Sequence, residues 1–251
     1  MRSGCTACAR SEVARPDPRV HPHAGRLARS LKQDAEVLSN RAITSCEDCV
    51  LGRAAGVQRC HFGPITRQAG DLICAQGQHP PGVYFLKAGL VSLSVVTPRG
   101  TEPIMMLRGP SSLLCIEALR GQPSRHDVRA ISRVRLCGLS GKRMTEWIGP
   151  DRSPARAVLD LMLQEDQLQH MEINMREGPC LSRVARFALT YSSFLEERPD
   201  AVRKRLLAKT LGMRQETFSR CLTKLEQCGA IDASQGIRVR DPRRLSAIIS
   251  E

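Results

Sequence analysis

Residues 205–226 read RLLAKTLGMRQETFSRCLTKLE, and this stretch decides the fold of the C-terminal part of the chain. The apolar spacing predicts two short helices joined at Gly212, because glycine readily takes the positive φ that a sharp turn between helices requires. The second helix has an apolar face for the core, made by Phe218, Leu222 and Leu225. The stretch therefore predicts a helix-turn-helix.

The opposite face of the second helix is polar near its N-terminus, which is where a recognition helix meets base edges in the major groove. Arginine donates twice to guanine and glutamate accepts from cytosine N4, so we expect Arg220 and Glu216 to read bases. A β-hairpin is predicted next, and it would contact the DNA backbone as a wing. The alternative is an ordinary helical subdomain with a solvated charged face. The full set of predicted DNA-binding residues is Arg214, Gln215, Glu216, Ser219, Arg220, Lys224 and Arg238.

The composition supports a polyanionic partner. The net charge is +13 and the pI is about 9.7, and basic side chains gain affinity for nucleic acid by releasing counterions from phosphate. Aromatic residues make up only 3% of the chain, which argues against base stacking as the main binding mode. No apolar run reaches the length of a membrane span, roughly 18 residues, and no secretory signal is apparent. We therefore expect a cytoplasmic protein with no membrane partner.

Upstream, two further patterns follow one another along the chain. Residues 60–140 contain short apolar runs separated by glycine and proline, which predicts the strands of a small sandwich or barrel. Residues 153–176 contain no glycine and carry an apolar stripe, which predicts one long helix. We expect this stripe to pair with a second copy of the chain, although packing onto the chain's own strands is the alternative. The predicted dimerisation residues are Leu161, Leu168, Met171 and Met175.

In this order, the β region, the long helix and the helix from Glu216 to Arg220 resemble the Crp/Fnr superfamily of bacterial transcription regulators. The resemblance implies an α+β fold with an antiparallel β-roll (a double-stranded β-helix or jelly roll), a dimerisation helix and a winged helix-turn-helix. It also implies a homodimer on palindromic promoter DNA that contacts RNA polymerase. The E-x-x-S-R form of the recognition helix is similar to the Fnr branch, so a half-site like TTGAT is our hypothesis. The expected boundaries are 1–45 for a partly disordered extension, 46–150 for the sensor, 153–177 for the dimerisation helix and 178–251 for the DNA-binding domain.

The sensor region departs from the cyclic-nucleotide members of this superfamily. Those members hold ribose and phosphate with a glycine-glutamate pair and an arginine-serine pair. Here the first region reads Ser111–Leu114 without that glycine or glutamate, and the second keeps only Arg125, followed by His126. Cyclic AMP is therefore not the expected effector.

Cysteine provides the better indication of the effector. The chain has eleven cysteines, an odd number without a secretion signal, which favours metal or redox use over structural disulfides. The resemblance to Fnr-like oxygen sensors implies a [4Fe–4S] cluster, for which thiolates are the required ligands. Cys60 departs from that pattern, because it follows Cys49 at a longer interval than is usual. The predicted metal ligands are Cys46, Cys49, Cys60 and Cys137.

Several alternatives to the cluster stay open. Zinc binding or thiol-disulfide sensing would use the same cysteines, and Cys5-x-x-Cys8 forms a second pair that could supply ligands. Haem bound through His61 or His79, sensing of a small molecule, and the absence of any cofactor are further alternatives. A thiol oxidoreductase is a remote rival, because its C-x-x-C would normally start a helix after a strand, and no acid-base constellation or phosphate loop accompanies it here. We therefore expect a regulator and not an enzyme.

Overall fold

The computed structural model describes residues 42–56, 60–96, 104–149, 152–191, 204–234 and 236–250. Residues 1–41 of the predicted N-terminal extension, which include Cys5 and Cys8, lie outside the described residues. Contacts divide the chain into two compact units, one formed by Ser39–Glu172 and one that contains Ile173–Glu251. Among the described helices, none combines the length and apolar character needed to span a bilayer.

The first unit is a β-roll made of two four-stranded antiparallel sheets, which confirms the predicted fold class. The strand order is β1-β8-β3-β6 in one sheet and β2-β7-β4-β5 in the other. The strands are β1 (Gly63–Arg67), β2 (Leu72–Cys74), β3 (Val83–Ala88), β4 (Val91–Ser94), β5 (Ile104–Arg108), β6 (Leu113–Leu114), β7 (Asp127–Ala130) and β8 (Val134–Leu139).

Strand β3 is buried on both faces and separates two apolar clusters. Alternate side chains of a strand point to opposite faces, so Val83 and Phe85 enter one cluster while Tyr84 and Leu86 enter the other. The register with β8 places Phe85 opposite Cys137. Cys137 consequently packs against the same cluster as Phe85.

Helices cover one side of the roll. They are α1 (Val50–Ala55), a 3-10 helix (Ile116–Arg120), α2 (Gly141–Ile148) and α3 (Arg152–Asn174). The side-chain oxygen of Ser140 caps α2 by accepting a hydrogen bond from the backbone N–H of Arg143. Helix α3 packs against the roll through Ala157, Val158 and Leu161, which belong to the cluster of Phe85.

The long helix forms where it was predicted, but the chain itself covers its apolar stripe. Leu161 and Leu168 are each 5% exposed, Met175 is 4% exposed, and Met171 is half-buried. Leu161 packs on the roll, as the alternative interpretation of the stripe had it. The face of α3 that is available to a second copy is therefore a different one, whose apolar members are Leu159, Met162, Leu163 and Ile173.

A buried arginine ties α3 to the roll. Arg108, at the end of β5, is fully buried, and its Nε and Nη2 donate to the two carboxylate oxygens of Glu165 at 2.7 Å each. Its Nη1 donates to Glu172 Oε1 at 2.9 Å, and the same oxygen accepts from the backbone N–H of Leu107 at 3.1 Å. Because Glu165 and Glu172 are two helical turns apart, one guanidinium fixes a long stretch of α3.

The second unit contains the predicted helix-turn-helix. Its elements are α4 (Cys180–Thr190), α5 (Lys204–Thr210), α6 (Gln215–Gln227), the antiparallel strands β9 (Ile231–Asp232) and β10 (Arg238–Val239), and α7 (Pro242–Ser250). Helix α6 packs on α4 and α5, and α7 packs on α4. The core of this unit is built on Val184, Phe187, Phe218, Leu225 and Leu245, all of them fully buried.

Candidate DNA interface and thiol site

The turn between α5 and α6 orients the candidate recognition helix. Gly212 has φ +60°, as the sequence predicted for this turn. The backbone N–H of Gly212 donates to Lys209 O, and that of Met213 donates to Ala208 O, so the turn closes the end of α5. Phe218 and Leu225 are fully buried beneath α6, which fixes the direction of its opposite face.

The polar face of α6 points away from that core. Gln215, Glu216 and Arg220 are exposed, Ser219 is half-buried, and the flanking Arg214 and Lys224 are exposed. In the described part of the chain, neither Glu216 nor Arg220 forms an ion pair. Their charged groups are therefore free to meet base edges, and their contact with DNA stays a prediction.

The hairpin after α6 presents one free arginine and one engaged arginine. Arg238 is exposed on β10, in the predicted wing. Arg240 donates through Nη2 to Asp232 Oδ2 at 2.6 Å. The hydrogen bonds from Ser234 and then from Arg240 hold the pKa of Asp232 well below its usual range. Arg240 thus closes the hairpin, and Arg238 is the better candidate for a DNA contact.

The predicted C-x-x-C forms a tight turn at the start of α1. The backbone N–H of Cys49 donates to Cys46 O at 3.3 Å, and Asp48 is held by hydrogen bonds with Ser45. A Cβ on Gly52 would collide with the carbonyl of Cys46, so glycine is required where α1 crosses the turn. Cys46 is exposed and Cys49 is buried.

The other two predicted ligands lie beside this turn. Cys60 precedes β1, Cys137 lies on β8, and both pack against the cluster that contains Cys49. Burial raises the pKa of the Cys60 thiol and of the Cys137 thiol, and the nearby Cys46 and Cys49 raise each of these two pKa values further. The four cysteines are thus neighbours in space although 91 positions separate Cys46 from Cys137 in the sequence.

A lysine that the sequence analysis missed lies among these thiols. Lys87 of β3 is 8% exposed, and its Nζ is 3.1 Å from Ser45 O and 3.8 Å from Cys46 Sγ. Its ammonium lowers the pKa of Cys137 and of Cys60, against the effect of burial. No signal in the sequence marks Lys87, since one lysine in a strand is ordinarily exposed.

The donor set consists of thiols, which are the ligands that an iron-sulfur cluster requires. Among the described residues, no three His, Cys, Asp or Glu side chains converge on one ion-sized point. Four thiols with a buried ammonium beside them nevertheless match the chemistry of a thiolate-ligated cluster, whose ligands are spread around several metal atoms. The residues present therefore fit such a group.

Three further cysteines, Cys74, Cys115 and Cys221, are buried and lie away from the four candidate ligands in the sequence. Cys74 and Cys115 are buried and their thiols are in hydrogen-bonding contact, and burial strongly raises the pKa of Cys115. Burial also raises the pKa of Cys221. No basic side chain is among the groups that shift the pKa of Cys115, whereas Lys87 lies beside Cys60 and Cys137 and lowers the pKa of both.

Three of the positions considered for cyclic AMP are buried, whereas the two histidines considered for haem are exposed. Ser112, Leu113 and Leu114 are buried in the roll, and burial lowers the pKa of His126. His61 and His79, the candidates for haem, are both exposed.

Two family models match the chain. Residues 65–149 match the cyclic nucleotide-binding domain, and residues 182–248 match the Crp-like helix-turn-helix domain. The chain is similar to the transcriptional activator protein anr of Pseudomonas aeruginosa, with 23% identity over 188 residues that cover 71% of this chain and 77% of that protein.

Solved structures share the fold. The structure of FixK2 from Bradyrhizobium japonicum superposes with a TM-score of 0.66 at 20% identity, covering 74% of this chain and 96% of FixK2. A Crp/Fnr-family transcriptional regulator of Thermus thermophilus gives a TM-score of 0.59 at 24% identity, covering 75% of this chain and 99% of that one.

A β-roll, a long helix and a helix-turn-helix with an exposed polar face define a DNA-binding transcription regulator and not an enzyme. The two matched domains, in this order, show that the chain belongs to the Crp/Fnr family.

Proposed function

We propose that this regulator responds to oxygen, nitric oxide or redox state through a [4Fe–4S] cluster held by Cys46, Cys49, Cys60 and Cys137. The observation that carries the proposal is the meeting of these four cysteines, from three separate segments, around one buried ammonium. Thiols must lose their protons to bind metal, and Lys87 favours that loss at Cys60 and Cys137.

The chain's own residues would carry the signal away from the site. When bound, the cluster supplies a reaction with oxygen or nitric oxide that changes the metal–thiolate bonds. Cys46 and Cys49 lie on a short segment that is bonded to the roll by Ile43 N–H to Lys87 O at 2.8 Å, by Arg135 Nη2 to Ile43 O at 3.3 Å and by Lys87 Nζ to Ser45 O at 3.1 Å. Release of the two thiolates would free this segment, which is a two-state element of the kind that ligand chemistry can bias.

Promoter recognition would follow the family pattern. We propose that the chain acts as a homodimer on palindromic DNA with half-sites like TTGAT, and that it contacts RNA polymerase there. Leu159, Met162, Leu163 and Ile173 give α3 an exposed apolar face for the second copy. Arg220 and Glu216 would read bases, while Arg214, Lys224 and Arg238 would neutralise phosphates.

Anaerobic purification tests the sensor. We expect a coloured protein with iron and acid-labile sulfide, and we expect Cys46→Ser or Cys137→Ser to lose both. Cys228→Ser is the matched control, because its thiol belongs to the other unit and donates to Leu225 O. A colourless, iron-free wild-type protein that still binds DNA would end the proposal. Zinc in its place would assign the site to zinc.

Gel shifts test the DNA interface. Arg220→Ala should lose about 1–3 kcal/mol on a TTGAT site and relax the choice of base there. Lys224→Ala should weaken all sequences about equally and reduce the salt dependence. Unchanged selectivity of Arg220→Ala would remove Arg220 from base reading, and an equal loss on every sequence would make it a phosphate contact.

A further inference from the structure

Lys87 is a buried lysine of strand β3, at the point where the pairing of β3 with β8 shifts register between Leu86 and Ala88. Its Nζ donates to Ser45 O and lies 3.8 Å from Cys46 Sγ, in the segment that leads to Cys49. Lysine is among the residues that are hardly ever buried without a partner of opposite charge. An 8% exposed lysine at this point therefore requires an anionic neighbour.

The carboxylates of the described residues do not supply that neighbour. Within the described part of the chain, no aspartate or glutamate forms an ion pair with Lys87. The polar atoms that Nζ meets are Ser45 O, which is neutral, and Cys46 Sγ. The groups at hand that can become anionic are thus the thiols.

We propose that Lys87 is the counter-ion of a thiolate centre at Cys46, Cys49, Cys60 and Cys137, and that it positions the C-x-x-C segment beside Cys137. This inference rests on the proposed function, because it takes the four cysteines as the ligands. Lys87 links the C-x-x-C segment to Cys137, because its strand β3 pairs with β8, the strand of Cys137, while its Nζ contacts Ser45 O and Cys46 Sγ.

The charge has a direct physical consequence. Four thiolates carry more negative charge than the metal core that they bind, so the assembled centre is an anion. In a half-buried site, the attraction between opposite charges is screened far less than in water. Loss of an outer partner of this kind typically costs about tenfold to a hundredfold in metal affinity.

Three variants of the full-length chain separate charge from shape. Lys87→Met keeps the buried stem and removes the charge, and Lys87→Arg keeps the charge. Arg135→Gln is the control, because Arg135 anchors the same segment through Ile43 O, whereas the basic group that lowers the pKa of Cys60 and Cys137 is Lys87. All three leave intact the backbone bond from Ile43 N–H to Lys87 O. Thermal unfolding checks that each variant is folded.

Two measurements read the centre itself. The first is the iron and sulfide content after anaerobic reconstitution, together with the rate at which the absorbance bleaches in air. The second is titration of the metal-free protein with Co²⁺, whose thiolate charge-transfer absorbance reports binding. We expect Lys87→Met to bind Co²⁺ at least about tenfold more weakly and to bleach faster. Lys87→Arg and Arg135→Gln should stay close to wild type.

The outcomes distinguish the two claims. A Lys87→Met protein that matches wild type in both measurements overturns the counter-ion assignment alone. Equal losses in Lys87→Met and Arg135→Gln overturn it too, because anchoring of the segment would then explain both. A wild-type protein that binds Co²⁺ but forms no iron-sulfur centre overturns the proposed function, while the Co²⁺ series still decides on Lys87. A wild-type protein that neither binds Co²⁺ nor forms an iron-sulfur centre overturns both the counter-ion assignment and the proposed function.

Discussion

Arg108→Met tests the tie between β5 and α3. The substitution removes the three hydrogen bonds of 2.7–2.9 Å from the guanidinium to the carboxylates of Glu165 and Glu172. It leaves these two carboxylates without their shared cation, and the Glu172 side chain is only 5% exposed. Removing one partner of a buried ion pair costs about 3–5 kcal/mol. The lower end applies here, because the Glu165 side chain is 22% exposed and water can reach it.

Urea unfolding, followed by the fluorescence of Trp147, measures this loss of stability. Trp147 is the only tryptophan, and it packs edge-on against Phe62 at 5.6 Å inside the roll unit. Its fluorescence therefore reports that unit and not the DNA-binding unit. With a slope of about 2 kcal/mol per M, a loss of about 3 kcal/mol moves the midpoint down by about 1.5 M.

A double variant that neutralises both carboxylates shows whether the loss of stability in Arg108→Met is electrostatic. Glu165→Gln with Glu172→Gln removes both charges, and the amide carbonyl oxygen introduced at position 172 can still accept from Leu107 N–H. Arg108→Met in that background should cost clearly less than in wild type, because no buried anion is left behind. A midpoint within about 0.5 M of wild type for the single variant would refute the reasoning. Equal costs in the two backgrounds would show that packing, and not charge, is the cause.

Three further predictions concern single residues. Gly52→Ala should distort the Cys46 turn and lower the iron content after reconstitution, because the added Cβ collides with the Cys46 carbonyl. Gly56→Ala is the control: its Cβ would contact no neighbouring atom, but the positive φ at this position strains the backbone, so it tests the effect of lost stability alone. In an NMR titration, Asp232 should lose its proton below the usual pH range of aspartate, because its pKa is lowered. Its contribution to stability is therefore present above that range and is lost as the pH falls through the lowered pKa. Arg240→Ala should raise the pKa of Asp232. Phe218→Ala should cost about 3–5 kcal/mol in the DNA-binding unit by leaving a cavity beneath α6, and a loss below about 1 kcal/mol would contradict the burial of its ring.

The sequence identified the helix-turn-helix because several local signals agree there. Gly212 marks the turn, and the spacing of Phe218, Leu222 and Leu225 defines the buried face, so both the elements and the exposed side follow from local rules. The four cysteines were also singled out from the sequence, although only three matched a familiar interval, and their role as ligands stays a prediction. Their proximity depends on β-strand pairing, which no local pattern encodes.

Other features could not be predicted, for the same reason. The period of seven at Leu161 and Leu168 predicted a helix and the residues that share a face, but periodicity does not say what covers that face. Lys87 and Arg108 acquire their roles from partners 41 and 57 or more positions away. Helix α2 is an exception, since Ser140 is a conventional N-cap that could have been used to predict it.

Strand β3 is shared by two interiors of the roll. Val83 and Phe85 fill one of them, and Tyr84 and Leu86 fill the other. Inserting or deleting one residue ahead of Val83 would exchange the contents of the two interiors at once and turn the ammonium of Lys87 toward the wrong one. Evolution and engineering can thus vary the side chains of this strand individually, whereas its length is fixed by both interiors together.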